Sequence, residues 1–84
     1  MKHIKNAIHD IECFLKEQSI IITQKEYTYT YSSSGNNYIL RLCFFTSQDF
    51  NQDELDYKIK EFLYNYILQN GYRVVPQVEV YYAR

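Results

Sequence analysis

Glycine and proline are nearly missing: two Gly and one Pro stand among 84 residues. So few turn-formers argue against a loop-dominated or disordered chain. Cysteine is as scarce. Cys13 and Cys43 are too few to staple a small disulfide scaffold, and both sit in apolar stretches, where a buried, reduced thiol behaves as a small hydrophobe. No apolar run approaches the ~18 residues of a membrane span. The start, Met1-Lys2-His3-Ile4-Lys5, is charged, but Asp10 and Glu12 interrupt the apolar residues after it, so it does not read as a secretory signal. Neither sign of charge dominates. Nine Lys and Arg against ten Asp and Glu leave a net charge of −1, without the basic excess that a polyanion asks for. The expectation is a cytoplasmic protein with reduced thiols, no membrane, and nucleic acid as an unfavoured partner.

Aromatic residues are what the chain has in excess. Ten Tyr and five Phe raise the aromatic share to 18%. A chain of this length forms one domain, residues 1–84, and buries about 64% of its unfolded surface. That supports one modest core and no second layer. No internal repeat is present, and a repeat array would need at least about three units. The lean toward Ile, Asn, Lys, Tyr and Phe is that of AT-rich codons, an association with low-GC bacteria and their mobile elements.

Ile4, Ile8, Ile11 and Leu15 recur at helical spacing, with Ala7 and Phe14 widening the stripe, which predicts an amphipathic helix over 2–18. The β-branched run from Ser19 to Thr23 ends that pattern and opens a strand. Tyr27, Tyr29 and Tyr31 alternate with polar residues. Ser32-Ser33-Ser34-Gly35-Asn36-Asn37 reads as a turn, and residues 38–46 as the return strand of a long hairpin over 19–46. A second helix is signalled by Asn51 as N-cap with Glu54 three residues on, by Phe50 and Leu55 as a hydrophobic staple, and by Gly71 as terminator. Its expected buried face is Leu55, Ile59, Phe62, Leu63, Tyr66 and Ile67. A last strand comes next, with Pro76 marking it as an edge. The fold class is α+β, in the order α-β-β-α-β, with a three-stranded sheet and both helices on one face. That order resembles a ferredoxin-like sandwich lacking its first strand, an analogy of topology that carries no function.

The strand over 38–46 is apolar on both faces, which places it in the centre. Two helices cover one side of it, and nothing else in the chain is left for the other. The open side is expected to present Ile39, Arg41, Cys43 and Phe45, with Gln77, Glu79 and Tyr81. The first strand is ambiguous. Ile20 and Ile22 share one parity and the tyrosines the other, so a bulge could exchange faces. With Tyr27, Tyr29 and Tyr31 on the open side, that face becomes an aromatic interaction platform.

Other chemistries are weaker. His9 and Cys13 lie one helical turn apart, but zinc needs three or four ligands and no CxxC or HxxxH is present. No nucleophile elbow or phosphate loop occurs, and a single-layer design leaves little room for a substrate pocket of ~300 Å³. No cofactor, metal or catalytic residue is expected. Asp49, Asp53, Glu54 and Asp56 cluster at the start of the second helix. Carboxylates stabilise such an end by about 0.3–1 kcal/mol each, and the sharper alternative is an acidic mimic of nucleic-acid phosphates. Aromatics beside Arg41 and Lys25 could also stack single-stranded bases. The reading best supported is a small non-catalytic interaction module that forms a homodimer through its sheet face, with a possible protein target, of the size of an accessory or inhibitor protein of a phage or mobile element.

Overall fold

The computed structural model describes residues 2–82. Helix α1 spans Lys2–Glu17, and Ile4, Ala7, Ile8, Ile11 and Leu15 form its buried stripe. It ends in a Schellman motif. The Ser19 N–H donates to the Lys16 carbonyl and the Ile20 N–H to the Leu15 carbonyl, both at 3.0 Å. Ser19 takes the left-handed conformation (φ 65°) usually left to glycine, and Ile20 folds back as the apolar residue that accompanies such a cap. This corrects the expected strand start at Ser19. The β-branched run serves the helix end and the core, and strand β1 begins only at Gln24, running to Ser32.

β1 pairs antiparallel with β2, Asn37–Thr46, in an unbroken register from Gln24↔Phe45 to Ser32↔Asn37. In the turn between them Asn36, not Gly35, adopts positive φ (53°). Helix α2, Gln52–Asn70, starts as its sequence predicts: the Asn51 side chain accepts the Glu54 N–H at 3.0 Å. The Glu54 carboxylate does not close a capping box, and pairs with Lys58 Nζ at 3.1 Å. Strand β3, Val74–Tyr82, lies parallel to β2, so the sheet order is β1-β2-β3 and β2 is central. In a complete ferredoxin-like sandwich another strand separates the equivalents of β2 and β3. Here they pair directly.

The core lies on one side of this sheet. Leu40, Leu42 and Phe44 of β2 and Val74 and Val80 of β3 meet the α1 stripe with Leu55 and Ile59 of α2. Phe14 and Phe62 stack at 4.3 Å and join the two helices. The wider α2 face expected from spacing is only half-buried beyond Leu55 and Ile59, because α1 occupies the deeper position over the sheet. Thr46 is the buried polar residue of the described core, and its hydroxyl accepts the Gln48 N–H at 3.2 Å.

Gly71 closes α2 by donating its N–H to the Ile67 carbonyl at 2.8 Å. Its φ of 80° with ψ of −177° belongs to a region that essentially only glycine visits. No atom lies within 4 Å of a Cβ built there, so the penalty of a side chain is purely one of backbone. Gly71→Ala is therefore expected to destabilise the fold by about 1–3 kcal/mol, read as a lowered urea midpoint with unchanged slope.

Candidate interaction surface

The face of the sheet turned away from the helices is a grid of four cross-strand rows: Gln24, Phe45 and Tyr81; Glu26, Cys43 and Glu79; Thr28, Arg41 and Gln77; Thr30, Ile39 and Val75. No element among the described residues covers it. Ile39, Cys43, Phe45 and Val75 are half-buried by their neighbours, whereas Arg41, Gln77, Glu79 and Tyr81 are exposed. Phe45 and Tyr81 stack at 5.7 Å, and the Tyr81 hydroxyl donates to the Glu79 carboxylate. The face thus has an aromatic end, an aliphatic end and a charged waist. The accessible surface of the molecule is 5923 Å², about 600 Å² more than a compact monomer of this mass exposes.

All seven residues expected there from the last two strands are brought together on this face: Ile39, Arg41, Cys43, Phe45, Gln77, Glu79 and Tyr81. Tyr27, Tyr29 and Tyr31 are not. They pair with Leu42, Leu40 and Tyr38, whose side chains point to the helices, so the tyrosine row is on the opposite face. No bulge exchanges the faces. The three rings remain 46, 47 and 50% exposed, because the buried core contains no β1 residue. Tyr38 holds two of them edge to face, Tyr29 at 6.1 Å and Tyr31 at 5.1 Å. Lys25 lies on that side too, in an ion pair with Glu12 of α1. Val75 joins the open face as well. Sequence reasoning misses it, although its shared parity with Gln77 and Glu79 signals it.

Burial pushes the Cys43 thiol above its ordinary 9.0, and the Glu79 and Glu26 carboxylates on either side raise it further. Tyr66 is raised from 10.0 by burial and then by Asp10. Tyr81 is raised from 10.0, first by its hydrogen bond to Glu79. A raised folded value means that the folded chain holds the proton more firmly than the unfolded chain. Its contribution is complete below the unfolded value and is lost as pH rises through the folded one. Stability is expected to hold steady through pH 8 and to decline above about pH 9. Urea midpoints across pH 7–11 check this, and Cys43→Ala should flatten the first part of the decline.

The acidic cluster is accounted for by the start of α2. Asp49 accepts the Phe50 N–H at 2.9 Å, Asp56 accepts from Gln52 Nε2 at 3.1 Å, and Asp53 and Glu54 occupy the first turn. All four are exposed. Cys13 is also exposed, correcting the expectation of a buried thiol. It falls off the α1 stripe and lies 3.6 Å from His9 Nε2. Among the described residues no three His, Cys, Asp or Glu side chains converge as a metal site would require. Clefts are larger than expected for a single-layer design. One of about 790 Å³ lies between the α1 start and the segment after α2, where Arg73 Nη1 donates to His3 Nε2 at 2.9 Å. Another of about 780 Å³ is walled by Ile20, Ile21, Ile22 and Lys25. Both are open to solvent, and neither sets a nucleophile beside an oriented base. No helix is long and apolar enough to cross a membrane among the described residues. In comparisons with known proteins, the chain matches no family model, no curated protein and no solved structure.

Proposed function

We propose that this chain is a small non-catalytic interaction module, cytoplasmic, that self-associates through the open face of its sheet. The observation that carries the reading is a central strand with apolar residues on both sides and cover on one only: Leu40, Leu42 and Phe44 are buried by the helices, and Ile39 and Phe45 look outward. An uncovered face with apolar residues at both ends marks an interaction site, and two-fold dimers are the commonest of soluble oligomers. The acid-rich start of α2 and the tyrosine row of β1 lie away from it and stay free for a target protein, as an accessory or inhibitor role would require.

Stacking of single-stranded bases is the weaker reading. The tyrosines and Arg41 stand on opposite faces of the sheet, and Arg41 shares its face with Glu26 and Glu79. Light scattering after size exclusion, over loading concentrations from about 10 to 500 μM, tests the proposal. The mass is expected to climb toward that of two chains. A single-chain mass throughout would overturn it.

A further inference from the structure

On the open face Arg41 is the one cation among the twelve grid positions, and no carboxylate of the described residues lies within 4 Å of it. The row beside it holds two carboxylates, Glu26 and Glu79, on either side of Cys43. Rows on one face are about 6.6–6.8 Å apart along the strands, so the positive row and the negative row straddle the middle of the grid. The apolar rows, Phe45 with Tyr81 and Ile39 with Val75, lie outside them.

This pattern is self-complementary in one orientation. A two-fold axis between two facing sheets, perpendicular to the strands, reverses the order of the rows. The Arg41 row then meets the partner's Glu26–Cys43–Glu79 row, twice by symmetry, and the aromatic row covers the partner's aliphatic row. An axis along the strands keeps the row order. It sets Arg41 against a second Arg41 and Glu26 against a second Glu79. Like charges in contact strongly disfavour a pairing, so the charges select the first arrangement.

We propose that the open face docks on a second copy of this chain with the strands of the two sheets antiparallel, Arg41 of each copy seated between Glu26 and Glu79 of the other. The inference rests on the self-association reading and adds its geometry. The sheets stack about 10 Å apart, within about 30° of alignment, a gap that an extended arginine side chain crosses. The grid measures roughly 27 by 14 Å, about 400 Å² per copy. That is about 800 Å² in all, below the ~1,000 Å² that a stable interface clears, so the dimer is a weak one that exchanges with monomer and its charges decide the pairing.

Charge reversal tests the orientation. Arg41→Glu places three acids together across the interface, and the double variant Glu26→Lys with Glu79→Arg places three bases together. Each alone is expected to associate at least about 30-fold more weakly than the parent chain. Mixed in equal amounts, with one copy carrying a fluorophore, they restore opposite charges at both sites and are expected to form the mixed dimer at close to the parent affinity. The neutral Arg41→Gln is expected to fall between, about tenfold weaker. These positions lie outside the core, and thermal unfolding of each variant checks that the fold is kept. If the parent chain dimerises and Arg41→Glu associates as tightly as the parent, the antiparallel orientation is overturned while self-association stands, because an axis along the strands sets like charges at position 41 against each other in both chains. If the parent chain is monomeric at about 500 μM, both are overturned together.

Discussion

Replacing Phe45 with aspartate is expected to yield a folded monomer. Phe45 points away from the helices, pairs with Gln24 and Tyr81 across the sheet and stacks on the Tyr81 ring. None of the residues that fill the core depends on it. In the free chain the new carboxylate reaches water, and the cost is that of strand preference, about 1 kcal/mol or less, together with the lost stacking on Tyr81, about 0.5–1.5 kcal/mol. In the dimer the same carboxylate meets the aliphatic row of the partner without a counter-charge. An unpaired buried charge costs about 3–5 kcal/mol, which is a factor of roughly 10² to 10³ or more in affinity. Sedimentation velocity should therefore show a single-chain species at concentrations where the parent associates, with far-UV circular dichroism unchanged. Ile39→Asp, in the row at the opposite end, should do the same. A dimer that survives both changes would move the self-interface elsewhere on the molecule.

The neighbouring residue behaves in the opposite way. Phe44 is 0% exposed and faces the helices from the centre of β2. Truncating it to alanine removes most of a ring from the middle of the core and leaves a cavity, which costs about 3–5 kcal/mol. The total stability of a domain this size is about 4–13 kcal/mol. Phe44→Ala is thus expected to lose about a quarter of its stability or more, with its urea midpoint reduced in proportion, and to be unfolded at 25 °C toward the lower end of that range. One residue of register separates a change that acts chiefly on association from one that acts chiefly on the fold. A Phe44→Ala chain as stable as the parent would mean that the helices do not pack on this face of β2.

Element order and the central place of β2 are legible in the sequence because each rests on local chemistry. Asn51 and Gly71 bracket α2, the α1 stripe keeps helical spacing, Pro76 is confined to an edge strand, and residues 38–45 are apolar at both parities. The facing of the tyrosines is not legible, and the reason is specific. Ile20 and Ile22 look like the start of a strand, so their parity competes with that of Tyr27, Tyr29 and Tyr31. The conflict disappears once Ser19 turns left-handed and Ile20 becomes the apolar partner of the α1 cap. That choice is made by the end of the helix and by the core, against local β preference. The charged waist is visible in the sequence only as separate residues. Glu26, Cys43 and Glu79 become neighbours through register, which alternation along a single strand does not specify.

The three strands have unequal holds on the molecule. β2 is clasped from both edges and under both helices, and β3 shares that cover. β1 has its ladder to β2, two ring contacts with Tyr38 and one ion pair to α1, while eight of its nine residues are exposed. Segments attached by so little open without the rest unfolding. When β1 detaches, the outer hydrogen-bonding edge of β2 is bared beneath helices that remain docked. The native state thus has a nearby, partly open form that keeps its core and gives up Gln24, Glu26, Thr28 and Thr30 from the open face at one stroke. Amide protection should accordingly be graded across the sheet, lowest in β1 and in the β2 amides that donate to it, and highest in the β2 amides that donate to β3, so that protection alternates along one strand.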